Sequence, residues 1–511
     1  MKPEIADKRP EILWGLSFFV LCVAGVVVCC QVLSLTCANP YTSGDTALYH
    51  SVGKALQGGY RPYVDVFDNK FPLFLAFYSS CITNESGIAA CTAVQSILLL
   101  AIIPLGLLVY RSFKDETAQD HFHLQGYLLA AITSATISAY AAAQGGSFQA
   151  ECIGLTGMML FAYSVFNRKL PYVLALSFAS FGLLLGIGAK ELFVLTAFAI
   201  SACACTSFER LRFIVAAAVL SFGLAVLVLM IFGWLDVLPI YLGLMRELLE
   251  ERRSSSGPTF SSLFVGGPIE FFRSLRAFSL SLTLAWSSIL LFSVLFLSRL
   301  RVRYLLNVVF FLIPFLPLTL LKPSWDHYRI IPLPMVFILL LFCLSRIKLT
   351  TAYAALFAVL FLGAGLTFQL PERHFPGWSY ASDAESKEVA AIVDQTLNDC
   401  RIEHYLNLGR IGNPPFQYTK HLPLGPFFAQ QFDNQPKSLQ PRFFESLLDA
   451  KVILTDRKIG LAPGRNRFAS QIKKYIKKHF TPIPPRCVKE ETKRRMENMP
   501  SRWTIYFRGA M

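Results

Sequence analysis

Asp65, Asp68 and Lys70 stand within six residues of the stretch "YRPYVDVFDNKFPLFLAFYSS" (60–80), and Asp45 precedes them in "NPYTSGDTALYHSVGKALQGG". Carboxylates placed this way can accept a proton from a hydroxyl and stabilise a cationic centre. A lysine beside them can hold negative charge that develops on a leaving group. The same residues also fit a plainer pattern: a solvated turn whose Asp–Lys pair contributes little, with an ordinary helix N-cap at Asp45. Position favours the first pattern at the turn. Pro72 and the apolar run Leu73–Tyr78 follow at once. That run is too short to cross a bilayer, so it either dips into the interface or packs on other helices. The three charges then sit at the lip of a cavity. Lost hydration there raises carboxylate pKa values and makes such groups candidates for chemistry.

The elements around these residues belong to a membrane chain. Of 511 residues 54% are hydrophobic and 16% charged, and mean hydropathy is +0.47; soluble chains carry about 25% charged residues. Apolar spans are read at 12–35, 87–110, 124–143, 148–166, 171–187, 191–206, 211–233, 279–298, 304–321, 329–345 and 350–369, about eleven in all. The first is too long for a signal-peptide core and is read as a retained helix. The predicted fold class is a polytopic α-helical membrane protein with a small C-terminal α/β domain. The net charge of +15 is accounted for by basic loops and a basic tail. No basic stretch interleaved with stacking aromatics points to nucleic acid. Eight of the 12 cysteines lie in or beside apolar spans and are read as small hydrophobes. Cys37, Cys81, Cys400 and Cys487 lie outside them and are open to disulfide formation, with the pairing undetermined. No spacing of His and Cys marks a metal site, and no cofactor is expected.

Basic residues define the sides of the membrane. Arg111 and Lys114, Arg168 and Lys169, Arg210 and Arg212, Arg299, Arg301 and Arg303, and Arg346 and Lys348 fall in alternate short loops, with Lys2, Lys8 and Arg9 at the N-terminus. By the positive-inside rule that side is the cytoplasm. The opposite side receives the first loop (38–86), a turn near Glu151, the turn at Lys190-Glu191, a loop (234–278), "KPSWDHYR" (322–329) and everything beyond 370. Polar groups near membrane depth are costly and usually functional, so the working face is extracytoplasmic. Two domains are expected: 1–370 in the membrane, carrying the first loop, and 371–511 outside it. In the tail, 383–399 and 469–480 have helical periodicity, while 404–409, 451–456 and 503–508 read as short strands.

An Asp soon after the first span, a surface helix, and then "G-x-x-P-Y-x-D-x-x-D-x-K-x-P-L" resemble the GT-C superfamily of integral-membrane glycosyltransferases. The similarity is greatest to the glycosyltransferase family 39-like branch that holds protein O-mannosyltransferases and the lipid A aminoarabinose transferase. It covers roughly residues 1–370. The resemblance implies a sugar donor carried on polyprenyl phosphate, an acceptor hydroxyl on a glycan, lipid or protein, and a single inverting displacement at the outer membrane face. It implies Asp45 as the catalytic base, Asp68 as a residue orienting acceptor or base, and Lys70 on the donor phosphate. His327, Tyr328 and Arg329, at the outer end of a later span, are further candidates for that phosphate. Asp65, Glu151 and Lys190 are candidates for substrate binding, with an intramembrane ion pair as the plainer role of Glu151, Lys190 and Glu191. The chain departs from the pattern by Phe71 between Lys70 and Pro72 and by Thr46 after Asp45. A transporter or flippase of lipid-linked sugars is the alternative. It predicts inverted repeats and ionisable groups at the midplane, whereas no repeat is found and most charges lie at span ends.

Overall fold

The computed structural model describes residues 19–20, 22–27, 30, 44–68, 70–81, 85–113, 123–145, 149–253, 260–296, 310–320, 326–346, 351–367, 383–409, 415–426, 436–456, 467–501 and 503–509. Among them, five helices are long and apolar enough to cross a membrane: Ala93–Phe113, Leu124–Ala143, Tyr172–Ala189, Phe208–Ile231 and Tyr328–Ser345. Shorter apolar helices run over Ala150–Phe166, Phe193–Ala204, Leu280–Leu290, Phe310–Thr319 and Ala355–Leu366. Most of the predicted span at 12–35 lies outside the described residues. The chain is thus a helical protein of membrane character with a small sheet near its C-terminus.

The stretch 234–278, expected as a loop, is instead largely helical, over Val237–Arg253 and Phe260–Phe278. Its charge hides it from a hydropathy scan, but its periodicity does not. Val237, Tyr241, Leu244 and Leu248 are spaced by four, three and four residues, and all four are buried. That spacing is the apolar stripe of an amphipathic helix.

Two compact units divide the chain. The first is Met1–Ala38, Thr92–Leu227 and Gly257–Arg373; the second is Asn39–Cys91, Val228–Ser256 and His374–Met511. One division falls between Arg373 and His374. The second unit also takes in residues 39–91 and the whole of helix Val237–Arg253.

In the first unit, 83% of the span Leu124–Ala143 and 78% of Tyr328–Ser345 is buried, against 17% of Phe208–Ile231. The first two are therefore central, and the third presents Val215, Val219, Phe222 and Ile231 outward. Glycines set one close crossing. A Cβ on Gly157 would lie 2.5 Å from the backbone nitrogen of Gly186 and 2.7 Å from the carbonyl oxygen of Gly182. Small residues let helix backbones approach where no water is available to drive association. The antiparallel pair Ala150–Phe166 and Tyr172–Ala189 thereby brings Glu151 and Lys190 to the same end.

In the second unit, helix Gly44–Gln57 packs on helix Pro72–Cys81. Pro72 opens the latter, where its missing N–H costs nothing. Leu73, Phe74, Leu75, Ala76 and Tyr78 are buried, so the short apolar run packs on protein. The C-terminal sheet has strands β1 (Leu406–Asn407), β2 (Val452–Asp456), β3 (Phe480–Thr481) and β4 (Trp503–Arg508), in the order β1-β2-β4-β3. The β1–β2 pair is parallel and the others antiparallel, with Leu454 opposite Ile505. Helix Asp383–Asp399 lays Val389, Ile392, Val393 and Leu397 into the core shared with this sheet. A disulfide joins Cys400 to Cys487 across 87 residues. Cys37 and the Cys81 side chain lie outside the described residues.

Candidate functional site

Around Asp68 and Lys70 the chain makes a buried, fully committed turn. The Asp68 carboxylate accepts the backbone N–H of Lys70 at 3.0 Å, the two-residue reach by which aspartate caps a turn. Asp68 is 3% exposed and Lys70 4%. The Lys70 ammonium stands 5.5 Å from the centre of the Tyr49 ring, within reach of a cation–π attraction. The Tyr63 hydroxyl donates to the Lys70 carbonyl. Tyr63 itself has φ of 62°, a left-handed conformation that a bulky residue holds only when its surroundings fix it.

Those surroundings come from three directions within the second unit. The Tyr63 ring lies 5.1 Å from that of Tyr241, and Tyr241 meets Phe71 edge-on at 5.4 Å, so helix Val237–Arg253 covers one side. Arg61 pairs with Asp236 just before that helix. The C-terminal region supplies the second side: Phe67 donates its N–H to the Pro426 carbonyl at 2.7 Å, and a side chain on Gly425 would strike the Asp65 backbone. From the third side, Tyr49 of helix Gly44–Gln57 packs edge-on against Phe74 and Tyr78. Asp65 is half-exposed, accepts the Arg61 N–H at 2.8 Å and faces Arg442 at 3.9 Å. Asp45 stands in the first turn of Gly44–Gln57; its side chain lies outside the described residues. One turn further on, His50 is buried, and its Nδ1 has no hydrogen-bond partner among the described residues. Burial, followed by the charge of Lys54, lowers its pKa to about 3.

A second polar cluster lies in the first unit. The Lys190 ammonium pairs with the Glu191 carboxylate at 3.1 Å and stands 5.8 Å from the Tyr328 ring centre. Glu151 is 0% exposed, and its charge also acts on Lys190. Three predicted residues, Glu151, Lys190 and Tyr328, are thus brought together. Arg329 pairs with Glu270 at 2.9 Å, and Glu270 is shared with Arg273 at 3.3 Å. His327 lies on the 3-10 turn Asp326–Ile330, and its side chain lies outside the described residues. Among the described residues no group of three or more His, Cys, Asp or Glu is assembled that could hold a metal.

The sequence reading missed Tyr63, Tyr49, Tyr241 and Glu270. Tyr241 could have been found from the amphipathic stripe of its helix. Tyr63 is the tyrosine of the quoted "P-Y-x-D" pattern and bonds to Lys70 only seven residues on, whereas Tyr49 and Glu270 are marked only by contacts distant in sequence. Comparison with protein families, with curated proteins and with solved structures gives no match to this chain.

Proposed function

We propose that this chain is an integral-membrane glycosyltransferase that moves a sugar, a hexose or a pentose, from a polyprenyl-phosphate donor to an acceptor hydroxyl on the extracytoplasmic face. One observation carries the reading: a lysine and an aspartate, each almost fully buried, share a turn fixed from three sides. Burying charge at such a place is costly, and a plain surface turn has no need of it. A fixed ammonium in a dry setting is suited to a phosphate leaving group, because it needs no reorganisation as charge develops. The donor's C1–O bond to phosphate breaks, and the acceptor oxygen bonds to C1. The acceptor proton passes to Asp45. Lys70 holds the released phosphate, and Asp68 fixes the turn that presents Lys70. No resident cofactor enters the step.

Sidedness is supported by packing within the second unit. Its three segments, Asn39–Cys91, Val228–Ser256 and His374–Met511, can share a unit only on one side of a bilayer. An even number of crossings must therefore separate each from the next. Among the described residues, four long spans lie between the first two segments, or six with Ala150–Phe166 and Phe193–Ala204 included. Four apolar helices lie between the second and third. On the reading of a span at 12–35, the N-terminus and the second unit lie on opposite sides, and the basic residues Lys2, Lys8 and Arg9 favour the cytoplasm for the N-terminus. The Cys400–Cys487 bond belongs in an oxidising compartment, which agrees with the second unit lying outside.

The test uses the purified full chain and a panel of polyprenyl-phosphate sugars, with cell-envelope glycans, glycolipids and proteins as acceptors. It measures release of free polyprenyl phosphate, for this chain and for Asp45→Asn. One donor consumed, and its consumption abolished in Asp45→Asn, is the expected result. Lipid-linked sugar crossing liposome membranes without donor breakdown would replace the reading with transport.

A further inference from the structure

Helix Arg467–His479 carries a one-sided charge that no acidic side chain among the described residues pairs with. Phe468, Ile472 and Ile476 recur every four residues and are buried. Phe468 meets Phe443 with ring centres 5.8 Å apart, and that face fixes the helix to its unit. Lys473, Lys474, Lys477 and Lys478 occupy the other face and are exposed. Among the described residues none of the four makes an ion pair, whereas nearby Lys489 pairs with Asp399 at 3.4 Å and Lys493 with Glu490 at 2.6 Å. From Arg467 to Lys489 the sequence holds Arg467, Lys473, Lys474, Lys477, Lys478, Arg486 and Lys489 and no Asp or Glu. Lys473 and Lys477 are one turn apart, as are Lys474 and Lys478, and like charges at that spacing repel. Anions bound from outside the unit would relieve that repulsion.

A second feature lies just past this helix. Ile483 is 71% exposed, between Pro482 and Pro484 and three residues before exposed Arg486. An exposed apolar side chain a few residues beyond a row of exposed lysines is a combination by which a protein surface enters a membrane interface. The chain's own apolar helices tether the face to a bilayer, so the encounter is intramolecular.

We infer that Lys473, Lys474, Lys477, Lys478 and Ile483 form a docking face for anionic phospholipid headgroups. The ammonium groups bind lipid phosphates, and Ile483 enters the interface. The face does so whether or not the chain transfers sugar.

The test places the full chain in nanodiscs of phosphatidylcholine, with or without phosphatidylglycerol. A short pulse of an amine-acetylating reagent is then read peptide by peptide by mass spectrometry. Acetylation of the four lysines is expected to slow by about threefold or more in the anionic discs, an effect lost at high salt. Lys420, exposed beside Asp394 of helix Asp383–Asp399, serves as the unaffected control. Ile483→Ser is expected to shrink the protection. Equal rates in both discs overturn the inference. So does protection by a soluble sulfated glycan that is the same in both discs without any effect of the lipid, which would assign the face to an anionic polymer. Unchanged protection in Ile483→Ser removes Ile483 from the face.

Discussion

At the scale of single residues, burial separates the turn at Asp68 and Lys70 from a plain solvated turn. Lys70→Gln keeps a hydrogen-bonding side chain of similar length and removes the charge. On the proposed function it should lower turnover by about 10²- to 10³-fold, the usual loss when a preorganised electrostatic contact is deleted; the release assay measures it. Tyr63 acts through the turn. Tyr63→Phe keeps the ring against Tyr241 and loses the hydrogen bond to the Lys70 carbonyl. That bond is worth about 1 kcal/mol. Turnover should fall about tenfold, with little change in melting temperature. A Tyr63→Phe variant as active as the original chain would mean that the turn does not need this bond. His50 gives a pH signature. Its imidazole has a pKa of about 3 in the folded chain because it is buried and Lys54 is near. An unfolded histidine takes up a proton near pH 6.5. Between these values the unfolded state binds more protons, so stability falls as pH falls from 6.5 towards 3. At pH 5 the loss is about 2 kcal/mol. Melting curves at pH 7 and pH 5 should show it for the original chain, and His50→Gln should reduce the difference.

At the scale of elements, the helix pair at Gly157 offers a paired test. Gly157→Ala puts a methyl group against the backbone of Gly182 and Gly186, and neither neighbour can yield without parting the helices. Overpacking of this kind costs about 1–3 kcal/mol. Gly223→Ala meets nothing within 4 Å and should be neutral or stabilise by up to about 1 kcal/mol, since alanine is the better helix former. Melting of the detergent-solubilised variants separates the two. The same elements indicate what could be read from sequence. The tail was legible: 383–399 and 469–480 were expected as helices and 404–409, 451–456 and 503–508 as strands, and each overlaps an observed element. Short-range periodicity carries that information. Helix Val237–Arg253 was lost because its charged residues mask an apolar stripe from a hydropathy window. The turn at Asp68 and Lys70 was legible as a cluster of charges before an apolar run. Its burial was not, because Tyr241 and Pro426 reach it from far along the chain, and no local pattern encodes such contacts.

For the whole molecule, packing and topology constrain one another. Asn39–Cys91, Val228–Ser256 and His374–Met511 belong to one unit, so a reagent that cannot cross the membrane must reach all three from the same side. Gln57, Glu250 and Lys489 are exposed and come one from each segment. Asn167, Arg168 and Lys169 form the turn between helices Ala150–Phe166 and Tyr172–Ala189, and on the proposed sidedness that turn is cytoplasmic. Single cysteines at Gln57, Glu250, Lys489 and Lys169 can be placed in a chain whose other cysteines are serine, except Cys400 and Cys487. In intact cells a bulky charged maleimide should label the first three. It should label Lys169→Cys only after the membrane is opened. The Cys400–Cys487 pair should stay unlabelled until reduced, because an oxidised pair has no thiol. Its loss through Cys487→Ser should cost about 2–5 kcal/mol, the usual range for a bond closing a long loop. If Glu250→Cys and Lys489→Cys were labelled from opposite sides, an odd number of crossings would separate them. The second unit would then be divided between compartments, and the turn at Asp68 and Lys70 would lose the C-terminal side of its support.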